Sequence, residues 1–133
     1  MDLAKVREYF ATKLWAEKQV ADVVDALEHE RSELLLVDIR DRESYQQGHI
    51  PGAISMLLDE FDSRCKELPT GKEIVTYCYG QHCHLSTLAA LKLVEKGIPA
   101  KELNVGWKEW VTAGYPTRSE SNSTLECDGW CRT

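Results

Sequence analysis

Apolar residues along this chain fall into two kinds of run. Leu3, Val6, Tyr9 and Phe10 recur at helical spacing, and Val20, Val23, Val24 and Leu27 repeat the pattern. Two helices are predicted, each packing one face on a core, with residues 16–19 as a bend or a continuation between them. Leu34-Leu35-Leu36-Val37 is instead an unbroken apolar run that ends in Asp38-Ile39-Arg40. Such short continuous apolarity suits a strand buried on both faces, as in a parallel sheet. Ile74 to Tyr77 reads as a second buried strand, and shorter ones are predicted at 53–56 and 101–105. Helices fill the gaps. Asp41 is placed to cap one through residues 42–47, stopped by Gly48. Leu57, Leu58, Phe61 and Cys65 share one face of another. Residues 85–96 form a helix that is apolar on most sides and is expected to be largely buried, with Gly97 at its C-cap. Trp107, Trp110 and Val111 mark a short amphipathic helix closed by Gly114-Tyr115-Pro116.

Strands alternating with helices predict an α/β domain with a mainly parallel sheet. The 133 residues suit one domain. Residues 1–15 read as an accessory N-terminal helix and 16–116 as the domain. The shift to Ser, Asn, Thr and Glu makes 117–133 a flexible tail. A composition 43% hydrophobic and 29% charged excludes wholesale disorder. The net charge of −6 and pI of about 5.2, without a basic cluster, argue against nucleic-acid or anionic-membrane partners. No apolar run is long enough to span a bilayer, and the N-terminus lacks the design of a secretory signal, so a cytoplasmic location is expected.

Five cysteines, odd in number and scattered, do not make a disulfide framework. Cys65 reads as a small apolar filler, and Cys127 and Cys131 as a weak pair in the tail. Cys78 differs, because it ends the buried strand 74–77. A loop, Tyr79-Gly80-Gln81-His82-Cys83-His84, follows, and a helix starts near Ser86. A thiol facing a helix N-terminus is stabilised as the thiolate by the helix dipole and the free backbone N–H groups. Cys78 is therefore the candidate nucleophile, and the N–H groups of residues 79–84 the candidate anion cradle. His82 and His84 are secondary candidates for substrate contact or charge support. Cys83 either faces Cys78 across the loop, where a disulfide can resolve an oxidised or sulfur-bearing Cys78, or points into the core. Cys78, His82, Cys83 and His84 match no standard zinc spacing, so neither metal nor cofactor is assigned.

Three ordered motifs resemble the rhodanese-like domain family over residues 18–118. The first is Asp38 and Arg40 with Tyr45 and Gly48-His49-Ile50-Pro51-Gly52-Ala53. The second is Tyr77-Cys78 at a strand end. The third is the tryptophan segment Trp107-Lys108-Glu109-Trp110 through Gly114-Tyr115-Pro116. The resemblance implies a three-layer α/β/α fold and a sulfurtransferase or sulfur carrier. Cys78 would take sulfane sulfur from a small donor as a persulfide. It would then pass that sulfur to a thiol, a cyanide-like acceptor or a protein acceptor. Residues Tyr79, Gly80, Gln81, His82, Cys83, His84 and Ser86 would bind substrate, Ser86 by capping the helix or contacting the sulfur. Asp38 and Arg40 would support the loop or tune its field. The chain departs from the family pattern in one region. Its loop is longer by about two residues, Tyr79 stands where the family has an arginine, and no Arg or Lys lies between Cys78 and Lys92. That argues against a dianionic donor such as thiosulfate. Two other readings stay open: a partner-binding module without chemistry, and a thiol redox switch of Cys78 and Cys83.

Overall fold

The structure is a computed structural model that describes residues 1–29, 33–80 and 82–120. Five strands form one sheet, all parallel: β1 (Glu17–Lys18), β2 (Leu34–Asp38), β3 (Ile54–Ser55), β4 (Glu73–Tyr77) and β5 (Ala100–Leu103), in the order β1-β5-β4-β2-β3. The unbroken apolar runs are the two inner strands, β2 and β4, which pair in register from Leu34↔Glu73 to Asp38↔Tyr77. Alternation sends Leu34, Leu36, Val75 and Tyr77 to one face and Leu35, Val37 and Ile74 to the other.

The first face carries α2 (Val20–Glu28), α3 (Arg42–Gln47) and α6 (Trp107–Thr112), packed through Val23, Tyr45 and Trp110. The second carries α4 (Phe61–Arg64) and α5 (Leu85–Glu95), packed through Phe61, Ala89 and Leu93. This is the three-layer α/β/α architecture with both sheet faces covered, as a parallel sheet requires. Asp41 caps α3 by accepting the Ser44 N–H at 3.1 Å. α5 closes in a Schellman turn: Gly97, at φ 83°, donates its N–H to Val94, and Ile98 donates to Leu93. The helix expected around Leu57 to Cys65 is instead one α-turn, α4, between two 3₁₀ turns, Leu58–Glu60 and Cys65–Glu67.

Three expectations are corrected. α1 (Leu3–Ala16) buries no residue, and Leu3, Tyr9, Phe10, Leu14 and Trp15 are exposed, so it does not pack one face on a core. Of residues 16–19, Ala16 closes α1 and the other three neither bend nor continue it. Glu17 and Lys18 become the edge strand β1 beside Glu102 and Leu103, and Asn104 accepts the Val20 N–H at 3.0 Å to start α2. α5 is less buried than its composition implies, because Leu88, Leu91 and Val94 lie on its outer side at about half exposure. Its sheet-facing stripe is narrow: only Ser86, Ala89 and Leu93 are buried. Beyond residue 116, Arg118 pairs with His49 by two backbone hydrogen bonds (2.8 and 2.9 Å) and the Ser119 hydroxyl donates to the Gln46 carbonyl. Residues 121–133, with Cys127 and Cys131, lie outside the described residues. Among the described residues, no helix is long and apolar enough to cross a membrane.

Where β2 and β4 end, a buried polar network joins them. Asp38 (0% exposed) takes a forked contact from the Arg40 guanidinium at 2.8–3.2 Å, the Arg40 backbone N–H at 2.9 Å and the Tyr77 hydroxyl at 2.6 Å. The Tyr77 hydroxyl in turn accepts the Ile50 N–H, and Arg40 donates to the Gly48 carbonyl and lies 4.5 Å over the Trp107 ring. Burial, and then the Asp38 charge, push the Tyr77 phenol well above its ordinary range, so it stays a donor. Removing one partner leaves the other charge buried and unpaired, which costs about 3–5 kcal/mol. Arg40→Met should therefore lower the unfolding free energy in urea by about 3 kcal/mol or more. A loss below about 1 kcal/mol would show that the pair does not hold the strand ends.

Candidate active site

β4 delivers Cys78 to the C-terminal edge of the sheet, where the side chain is 1% exposed. The loop beyond it is held on two sides. On one side α6 presents its first N–H groups: Trp107 donates to the Cys78 carbonyl and Lys108 to the Tyr79 carbonyl, both at 2.8 Å. These are helix-start donors that would otherwise lack partners. On the other side the Thr76 hydroxyl donates to the Ser86 carbonyl at 2.8 Å and anchors the first turn of α5 to β4. Gly106 must be a glycine at its position, because a Cβ there would run into the Gly80 backbone.

The peptide links are trans, and in a trans peptide the N–H points opposite to the C=O. With the Cys78 and Tyr79 carbonyls turned to α6, the N–H groups of Tyr79 and Gly80 point away from it. Cys78 and Cys83 form a disulfide, with Cα atoms 6.4 Å apart, and Cys83 donates its N–H to the Gly80 carbonyl at 3.1 Å. Of the two alternatives for Cys83, facing Cys78 is the one found. His82 and His84 are exposed on the loop, and His84 makes no side-chain cap at the start of α5. Gln81 lies outside the described residues. The Ser86 hydroxyl neither caps the helix nor meets a cysteine. It donates to Glu102 at 3.3 Å, and Thr87 donates to the same carboxylate oxygen at 2.6 Å. Arg40 is committed to Asp38 and Gly48, so its charge is spent on the scaffold.

The surroundings are acidic where the residue pattern pointed to none. Asp41 meets Tyr79: its N–H donates to the Tyr79 hydroxyl at 3.1 Å, and that hydroxyl donates to the Asp41 carboxylate at 2.5 Å. Glu109 reaches back to accept the Gly106 N–H at 2.8 Å, which puts its carboxylate 3.6 Å from where a side chain on Gly80 would begin. Asp41, Glu102 and Glu109 escaped the sequence reading because each is far from Cys78 in the chain. Asp41 and Glu109 did carry a local signal, but only that of a helix start. Among the described residues no group of three or more His, Cys, Asp or Glu side chains gathers to hold a metal ion.

The rhodanese-like domain model matches residues 18–113. The chain belongs to the rhodanese-like domain family. The match begins at residue 18, so all of α1 lies outside it. The crystal structure of the BH2092 protein from Bacillus halodurans is similar, with TM-score 0.78 and 29% identity over 94% of this chain and 93% of that one. An HTH-type transcriptional regulator, Rv0324 of Mycobacterium tuberculosis, is 41% identical over 87 residues, which cover 65% of this chain and only 38% of the regulator. The thiosulfate sulfurtransferase GlpE of Coxiella burnetii is 28% identical over 92 residues, covering 69% of this chain and 83% of the relative.

Asp41 provides a test of the loop's second anchor. The Tyr79 hydroxyl, and then the Ser44 hydroxyl and N–H, lower its carboxyl to about 2. Because the folded value is depressed, the stabilisation is present above the unfolded value near 3.9 and is lost as pH falls through about 2. An NMR titration of the Asp41 carboxyl should give a midpoint near pH 2 that rises toward 3.8 in Tyr79→Phe. An unchanged midpoint in that variant would show that Tyr79 is not held there.

Proposed function

We propose that this domain is a sulfurtransferase or sulfur carrier that forms a persulfide on Cys78. The observation that carries the reading is the position of that thiol: buried at the end of β4, at the mouth of a loop whose Tyr79 and Gly80 N–H groups are turned away from α6. The thiolate attacks the sulfane sulfur of a donor, the donor's leaving group departs with the bonding electrons, and Cys78–S–S⁻ results. N–H groups of the loop stabilise the terminal sulfur anion. A nucleophilic acceptor, a thiol, cyanide or a protein thiol, then takes the outer sulfur and returns Cys78 to the thiolate. Asp38, Arg40 and Tyr77 act at one remove, by fixing the strand ends. The relatives named as a thiosulfate sulfurtransferase and as a putative sulfur carrier, YrkF of Bacillus subtilis at 33% identity, support this class of chemistry.

The donor should carry little negative charge. Asp41 and Glu109 border the loop, the Arg40 charge is neutralised by Asp38, and no Arg or Lys lies between Cys78 and Lys92. Benzenethiosulfonate, a singly charged donor, and thiosulfate, a dianion, separate the terms. With cyanide as acceptor, kcat/KM for thiocyanate formation should be at least about tenfold higher with benzenethiosulfonate, equivalent to about 1.4 kcal/mol. Cys78→Ser should abolish the reaction with either donor. Neither thiocyanate, nor released sulfide, nor an added sulfur with any donor, in the native chain and in Cys83→Ser alike, would instead identify a partner-binding module.

A further inference from the structure

The disulfide partner of Cys78 sits against a cavity beside the reactive loop, which Gly80 also lines. Cys78 itself is buried, whereas Cys83 is partly exposed and lines a cavity of about 600 Å³. Tyr9, Thr12 and Ala16 of α1 form one wall and His84, Thr87 and Leu88 form another. Of the charged groups along it, Lys13 pairs with Glu17 at 2.7 Å, and the Glu102 carboxylate accepts the Thr87 hydroxyl at 2.6 Å. A space of this size suits a small molecule. α1, which buries nothing of its own, gains a role as its outer wall.

We propose that Cys83 is a resolving cysteine that discharges the Cys78 persulfide as hydrosulfide, and that the cavity admits a low-molecular-weight thiol which reopens the disulfide. This rests on the persulfide reading above. In the first step the Cys83 thiolate attacks Sγ of Cys78. The Sγ–Sγ bond forms and the bond from Cys78 to its outer sulfur breaks. That sulfur leaves with the electron pair as HS⁻, so it is reduced while the two cysteines are oxidised. The proton that Cys83 gave up is balanced by the one the sulfide takes. In the second step a thiolate attacks Sγ of Cys83, the sulfur on the cavity side, and Cys78 leaves as the thiolate. A second thiol then attacks the small-molecule sulfur of the mixed disulfide on Cys83, which leaves as the thiolate, and the two small thiols depart as one disulfide. The sum is one persulfide and two thiols giving one thiol on Cys78, one hydrogen sulfide and one small-molecule disulfide.

The test uses the full chain, reduced, freed of reductant and treated with one equivalent of benzenethiosulfonate, whose by-product is a sulfinate and not sulfide. The native chain should end two hydrogens lighter than the reduced protein and release about one sulfide per chain. Cys83→Ser and Cys83→Ala should each gain one sulfur, keep it and release no sulfide. If the native chain holds its sulfur as long as these variants do, without sulfide, Cys83 does not resolve it. If neither variant ever gains sulfur, the persulfide reading itself fails, and the two failures are thereby distinct. The cavity has its own readout. The disulfide of Ala16→Phe should be reduced by 2-mercaptoethanol at least tenfold more slowly than that of the native chain, and equal rates would overturn the assigned route.

Discussion

Asp38 is the side chain on which the site depends. It is fully buried at the end of β2 and holds the Arg40 guanidinium and the Tyr77 hydroxyl at once. Through Arg40 it reaches the Gly48 carbonyl and the face of Trp107, and through Tyr77 it reaches the Ile50 N–H. The two inner strands, the turn after α3 and the start of α6 are therefore fixed by one charge-assisted cluster. A buried pair of this kind adds little net stability over an apolar substitute, but it tolerates few geometries. Cys78 is the next residue after Tyr77, so what fixes the phenol also fixes the thiol.

The loop that follows is held by backbone. α6 spends its first two N–H groups on the Cys78 and Tyr79 carbonyls, and Gly106 lets the two backbones approach. The electrostatics run against a highly charged substrate. Arg40, the cation of the buried cluster, is neutralised by Asp38, while Asp41 and Glu109 stand at the rim. On the proposed reading, anion stabilisation is left to N–H groups, which act over short range and suit one sulfur anion better than a dianion.

The fold was legible where the pattern had one reading. Leu34 to Val37 and Ile74 to Tyr77 admit only buried strands, and the order of elements then limits the sheet to a parallel one. The rhodanese-like motifs were legible as ordered spacings around Asp38, Cys78 and Trp107. α1 was misread because Leu3, Val6, Tyr9 and Phe10 have helical period whether or not anything covers them, and nothing in the period says that β1 turns the chain onto the sheet edge first. α5 was misread because apolar composition does not tell a sheet-facing Leu93 from an outward Leu91. The choice between the two orientations of Cys83 depended on the turn closed by its N–H to Gly80, a contact that the spacing alone does not specify.

Locating the transferred sulfur tests the central claim most directly. The Cys83→Ser chain, treated with benzenethiosulfonate and alkylated to trap persulfides, is digested and its peptides are sequenced by tandem mass spectrometry. The account predicts one extra sulfur on the peptide containing Cys78 and none on that containing Cys65. Sulfur on Cys65, or equally on all remaining cysteines, would contradict it.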